Sequence, residues 1–301
     1  MPPDLSIVIP SVNGKQFLLP CLERVEQQSI RQAIEVIVCD RLPDDTAAVV
    51  RERFPEVSIV SGLGNATIPQ LRWIGLKKAT APVVALIEDH SMLPRTWAEE
   101  VLFAHRQYQG EKEGVIGGPV ENGSTSTVFD WAFYLTEYAP LMPPMSAQKA
   151  RGVAGGNVSF QRSLLPLEDD RFGELWENHL LDELQRRGFA VRIHPGMTLL
   201  HRNPFDRREF RRQRYLFLRS IAAMRSRSWG VLHRWVHAAG ALVVLPWLLP
   251  LRTAFLVWRK GRNRRELLAG LPMMVGFLWI GIAGEVAGML RGDGGSLAEV
   301  R

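Results

Sequence analysis

Four short runs constrain the fold more than anything else in this chain: residues 5–10 (Leu-Ser-Ile-Val-Ile-Pro), 35–39, 57–60 and 83–87 (Val-Val-Ala-Leu-Ile). They are largely apolar and do not alternate, so each reads as a strand buried on both faces. Helical spacing lies between them, over residues 17–28 with Leu18, Leu22 and Val25 on one face, and over 47–54; residues 68–79 follow with Arg72 and Gly75 inside. Strand and helix in this order predict an α/β fold, a mostly parallel sheet flanked by helices, whose ligands bind beyond the carboxyl ends of the strands. Polar residues stand at those ends: Ser11 and Asn13 after the first strand, Asp40 after the second, Glu88-Asp89-His90 after the fourth. Three consecutive residues able to bind a cation at the mouth of a sheet are what an enzyme needs to hold a divalent metal. Their bland alternative is a solvated turn. Strand-end residues carry little of a core, so replacing Asp89 and His90 is expected to leave the fold intact.

Neither a Gly-x-Gly-x-x-Gly after the first strand nor a Gly-Lys-Ser/Thr phosphate loop is present, which argues against an ordinary dinucleotide dehydrogenase and a P-loop phosphotransferase. With 301 residues and 46% hydrophobic composition the chain can bury a large core. Its two cysteines, Cys21 and Cys39, form no disulfide framework or metal knuckle and read as buried thiols in a reducing compartment. The net charge of +6 is unevenly spread. From His201 onward there are 18 Lys/Arg against 6 Asp/Glu, whereas the first two hundred residues carry 19 against 25. Two different jobs follow from that asymmetry.

Taken in order, Ile7-Val8-Ile9-Pro10-Ser11-Val12-Asn13, Asp40 with Asp44 and Thr46, Arg72-x-x-Gly75, and Glu88-Asp89-His90 resemble the successive motifs of family 2 inverting nucleotide-sugar glycosyltransferases, over roughly residues 4–205. The resemblance implies a GT-A fold. It implies that Pro10, Ser11, Asn13 and Asp40 hold the nucleoside of a UDP- or GDP-sugar, with Arg72, Glu88 and Asp89 also on the donor. Asp44 is a weaker candidate, equally readable as a turn or helix-cap carboxylate. Where the family has Asp-x-Asp for Mg²⁺ or Mn²⁺, this chain has Glu88-x-His90, and imidazole shifts the expectation toward Mn²⁺. Glu88, Asp89, His90 and the later His201 are the metal candidates. Val153 to Phe160 resembles the family's glycine-rich segment, which places Gly155, Gly156 and Asn157 beside the sugar or acceptor; the alternative is a plain turn before a strand. The family's Glu-Asp base motif is here Trp176-Glu177-Asn178-His179. Asn178 cannot accept the acceptor proton, so Glu177 is the first candidate for the base, walled by Trp176, and His179 the second. Glu177 also reads as an acid stabilising a helix start.

The C-terminal third is basic and apolar at once. Residues 206–230 read as a basic amphipathic linker helix rich in arginine, and 231–301 as a membrane module with apolar stretches at 236–251 and 267–290. Basic flanks beside near-membrane-length apolar stretches fit anionic lipid better than nucleic acid. If the Arg/Lys-rich connector 259–265 stays cytoplasmic, residues 236–258, with Pro246 and Pro250, are expected to form a broken re-entrant or interfacial helix, and 267–290 a span or a second in-plane helix. Glu285, inside the second stretch, is expected to face protein or a polar cavity. No cleavable signal pattern precedes residue 5, so residues 1–205 are expected on the cytoplasmic side of the cell membrane. The expectation is a membrane-associated glycosyltransferase acting on a hydroxyl acceptor, lipid or lipid-linked; the rival is a non-catalytic GT-A-like membrane-bound binding or scaffold protein, favoured by Glu-x-His, Asn178 and Cys39 before Asp40.

Overall fold

A computed structural model describes residues 2–108, 112 and 114–301, which form two compact units. The first comprises the chain up to Gly123 together with Leu141–Arg202. Its strands are β1 (Leu5–Ser11), β2 (Ile34–Asp40), β3 (Ser58–Val60), β4 (Val83–Ile87), β5 (Ser91–Met92), β6 (Val115–Gly117), β7 (Val120–Asn122), β8 (Gln148–Ala150), β9 (Asn157–Gln161), β10 (Val191–Ile193) and β11 (Leu199–His201). Eight of them make one sheet in the order β3-β2-β1-β4-β9-β6-β10-β8, with β9 and β8 running against the other six. The sheet is the expected one: α/β, mostly parallel and flanked by helices. Every residue of β1 and β4 is buried, which is why these runs are unalternating.

Helices α1 (Lys15–Glu26), α2 (Thr46–Arg53), α3 (Ile68–Lys78) and α4 (Trp97–Gln107) join the strands. The start of α3 is set by a capping box: the Thr67 hydroxyl accepts from the Gln70 amide, and the Gln70 side chain accepts from the Thr67 amide. Gly75 lets α3 lie close on the sheet, since a Cβ there would sit 2.3 Å from a Val8 methyl. The Arg-x-x-Gly spacing thus seats the helix with its glycine and leaves Arg72, one turn earlier, near the strand ends.

A second, three-stranded sheet in the order β5-β11-β7 pairs His201 with Ser91, the residue immediately after His90. Sequence spacing carries no hint of this register, because 110 residues separate the partners.

The second unit comprises Ser124–Pro140 and Asn203–Arg301. It holds α5 (Val128–Tyr138), α7 (Arg207–Arg225), α8 (Val231–Lys260) and α9 (Arg264–Arg291); α6 (Glu177–Arg186) belongs to the first unit. Helix α9 is its centre. Phe277 packs on Phe129 of α5 and Phe210 of α7, and Phe210 on Phe133. Gly284 and Gly288 let α7 approach to backbone contact, for a Cβ would fall 2.4 Å from the Tyr215 carbonyl oxygen and 2.3 Å from that of Arg219. Glu285 pairs with Arg225, so this carboxylate does face protein, and Glu137 pairs with Arg214 at 2.6 Å.

Helices α8 and α9 are both long and apolar enough to cross a membrane. The break expected near Pro246 and Pro250 is absent: α8 runs unbroken through both, from Gly230 to a left-handed cap at Gly261. A proline fits helical φ and forfeits one hydrogen bond to the residue four earlier, a loss that a long, packed helix absorbs. The face of α8 carrying Ala238, Ala241, Thr253 and Val257 is buried, while Val231, Leu232, Val243, Trp247 and Leu251 stand at least two-thirds exposed.

Candidate functional site

The strand-end residues of the first unit converge, in an arrangement that separates the three consecutive residues after β4. Asp89 turns inward, 1% exposed, and its carboxylate is fully engaged. One oxygen accepts from the backbone amides of Val12 and Asn13, each at 2.8 Å, and the other from the Asn13 side-chain amide at 2.9 Å and His90 Nδ1 at 2.8 Å. Asp89 therefore locks the loop between β1 and α1 and orients the His90 ring. Where a strand end was expected to contribute little to the fold, Asp89 is a buried carboxylate with four hydrogen bonds that tie the loop after β1 to the end of β4.

With Nδ1 held by Asp89, His90 presents Nε2 to Nε2 of His201 at 2.8 Å. Glu88 completes a triangle, one oxygen 3.5 Å from His90 Nε2 and 3.2 Å from His201 Nε2. The pairing of His201 with Ser91, and a bond from the Glu88 amide to the Ser91 hydroxyl at 3.2 Å, bring the three together. Glu88, His90 and His201 form a group able to hold one metal ion. The donor set fits: ligands about 2.0–2.2 Å from a common ion lie about 3 Å apart, the spacing seen. Burial raises the Glu88 pKa, but the bond from His201 and the charges of His90, His201 and Arg72 outweigh it and hold the carboxyl far below its usual range. Burial opposes a charge on His90 too, yet Asp89 and Glu88 raise its pKa; His201, desolvated and facing His90, is lowered.

Beside this cluster lies a second carboxylate. Glu177 opens α6 and pairs with Nη1 of Arg72; Nη2 of Arg72 lies 3.7 Å from Glu88. Gly155 and Gly156 precede β9, and because Ile87 pairs with Asn157 they pass directly over the two carboxylates. A Cβ at Gly155 would lie 1.8 Å from a Glu177 oxygen, and one at Gly156 2.6 Å from the Glu88 carboxyl carbon. These glycines are required for space rather than for an unusual backbone angle.

The remaining candidates spread out from this centre. Pro10 and Ser11 are buried in β1, and Ser11 is in register with Asp40. Asp40 is 0% exposed; one oxygen accepts from the Leu42 amide at 3.3 Å, and the other has no partner among the described residues. Burial raises its pKa. Asp44 accepts from the Thr46 amide at 2.9 Å, a side-chain turn just ahead of α2, whose N-cap is Asp45. Asn157 is buried with its amide spent on the scaffold: it donates to the Pro119 and Met197 carbonyls and accepts from Trp97. Trp176 is 3% exposed. Asn178 is exposed, and His179 keeps a buried Nε2 without a partner among the described residues, with burial lowering its pKa. Arg202, missed in the sequence, stacks on Phe17 at 5.4 Å, and its charge works against that of His90. Its only sequence signal is a cation next to a strand-end histidine.

The profile described as glycosyl transferase family 2 matches residues 6–166. A comparison with curated proteins gives no match. Among solved structures, the chain is similar to the mannosyltransferase PcManGT from Pyrobaculum calidifontis, in complex with GDP-Man and Mn²⁺: TM-score 0.58, 17% identity, 96% of this chain and 88% of that one. GalNAc-T7, solved with UDP, GalNAc and Mn²⁺, aligns with TM-score 0.52 and 15% identity over 67% of this chain and 43% of that one. At such identities the likeness is one of fold, and the fold is GT-A.

Proposed function

Since the chain belongs to glycosyl transferase family 2, we propose that it is a membrane-associated inverting glycosyltransferase that moves a sugar from a nucleoside-diphosphate donor to a hydroxyl of a lipid or lipid-linked acceptor. The observation that carries this reading is the convergence, over Gly155-Gly156, of a three-ligand cation site and a second, separately held carboxylate.

Each residue has a task in that reading. Asp40 offers a buried oxygen to an N–H of the base or a ribose hydroxyl, and such a ligand removes the cost of an unpaired acceptor. Glu88, His90 and His201 would hold the cation, which when bound supplies charge neutralisation at the leaving diphosphate. Two imidazoles favour Mn²⁺ over Mg²⁺, and both solved relatives contain Mn²⁺. Arg202 adds a positive charge on the same side. Glu177 accepts the proton of the acceptor hydroxyl as it attacks the anomeric carbon opposite the departing diphosphate. His179, whose pKa burial lowers, is the alternative acceptor of that proton. The exposed apolar face of α8 and the basic run 259–265 support attachment to an anionic bilayer from the cytoplasmic side.

The deciding experiment compares wild type with Glu177→Gln against UDP- and GDP-sugars in the presence of Mn²⁺. The variant is expected to bind donor with little change and to turn over about a hundredfold more slowly. Equal turnover moves the role to His179 or elsewhere. Asn178 in place of the family's acid favours the rival reading of a binding protein. Thermal stabilisation by nucleoside diphosphate and Mn²⁺ without turnover on any donor would establish that rival.

A further inference from the structure

Among the described residues, Arg72 pairs with the carboxylates of both halves of the site. It is 6% exposed; its Nη1 is on Glu177, its Nη2 lies 3.7 Å from Glu88, and its Nε is buried without a partner among the described residues. The elements on either side brace it. Helix α3 is tied to the segment leading into α6 by Gln70 to Glu174 at 2.9 Å, Trp73 to Asp170 at 3.1 Å and Lys77 to Asp170 at 2.6 Å, while Gly173 sits against the Trp73 ring. Glu177 begins α6 just after that segment, so Arg72 and Glu177 are held by one connected set of contacts. On the other side Glu88 is confined by the backbone at Gly156.

The geometry points to Arg72 as a positioning residue that joins the cation ligand Glu88 to the carboxylate Glu177 and competes with the cation for Glu88. This rests on the reading of Glu88, His90 and His201 as a cation site, and it goes beyond donor contact as a role for Arg72. The physical basis is the fork of the guanidinium. Its two terminal nitrogens can serve two carboxylates from one fixed plane, which a lysine ammonium on a flexible stem does not reproduce. Fixed between them, the charge offsets two carboxylates that would otherwise face each other across two glycines. The same charge repels a cation arriving at Glu88, so metal affinity is held down in exchange for a fixed Glu177.

The test measures Mn²⁺ affinity of the full-length protein by electron paramagnetic resonance, without any sugar donor, and steady-state turnover separately. Arg72→Gln removes the charge and is expected to bind Mn²⁺ about tenfold more tightly, while kcat falls about a hundredfold because Glu177 is released. Arg72→Lys keeps the charge and loses the fork; its Mn²⁺ affinity is expected within about threefold of wild type, with kcat lowered. Tighter metal with lower turnover is a pattern that mere loss of structure does not produce, since a disordered site weakens both. Weaker or unchanged Mn²⁺ binding in a folded Arg72→Gln overturns the proposal. If no donor is turned over by wild type, the functional reading fails, and the Mn²⁺ series still decides the role of Arg72.

Discussion

At the scale of single residues, environment assigns roles that identity leaves open. Glu88, Asp89 and His90 are adjacent, yet Asp89 is a clamp and its neighbours join His201 in a group able to hold a metal ion. Asp89→Asn keeps the shape but puts an amide donor against the amides of Val12 and Asn13. We expect about 2–4 kcal/mol of lost stability, read as a lower urea midpoint at unchanged m-value, together with weaker Mn²⁺ binding. His105 shows environment acting on a proton. Ser159 donates its hydroxyl to the Ile116 carbonyl, so His105 Nε2 donates to Ser159 and Nδ1 is left buried without a partner among the described residues. A second proton has nowhere to go, and burial lowers the pKa from 6.5 to about 4. The unfolded state therefore binds the extra proton first as pH falls. The stability contributed by neutral His105 is present above about 6.5 and lost progressively down to about 4, about 3 kcal/mol in all. His105→Gln keeps a donor for Ser159 and cannot titrate, so its unfolding free energy should be flatter across that window; an unchanged slope would refute the assignment.

At the scale of elements, the site depends on backbones passing close to carboxylates. The loop before β9 crosses Glu88 and Glu177 with no room for a methyl group. Gly156→Ala displaces Glu88 from His90 and His201, and Mn²⁺ affinity is expected to fall about tenfold or more, with circular dichroism unchanged because the strand beyond, β9, is paired on both sides. The same logic explains α3: Gly75 seats it on β1 and the capping box of Thr67 and Gln70 sets its first turn, so the angle of Arg72 follows from these neighbours on its own helix. In the C-terminal unit, Gly284 and Gly288 do for α7 and α9 what Gly75 does for α3 and the sheet.

At the scale of the molecule, the charge asymmetry and the apolar helices belong to one unit. That unit buries one face of α8 and leaves the other apolar and bare. A monomer in water rarely carries such a surface. Replacing Val243, Trp247 and Leu251 together by Glu alters three side chains at least two-thirds exposed. Co-sedimentation with vesicles containing anionic lipid should be lost, while the core contacts of α9 and the melting of the first unit stay as they are. Retained sedimentation at high salt would place the attachment elsewhere.

The first four strands of the large sheet with the helices between them, the polar residues at their ends and the two apolar C-terminal stretches were legible in the sequence, because each depends on neighbours within about ten residues, the range over which hydrophobic periodicity operates. The sequence also named Glu88, Asp89, His90 and His201 as metal candidates; that Asp89 turns away from the group, and how the other three meet, it did not show. His201 joins the group through the register of β11 on β5, and Glu177 meets Arg72 only because α3 and the segment before α6 are tied together. The continuity of α8 through two prolines likewise lay beyond local rules, which weigh a lost hydrogen bond and do not see the helix packed alongside. Local propensity and periodicity determined the elements and their ends; pairing register, close glycine contacts and the partner each buried charge finds are long-range choices, and only the tertiary structure made them.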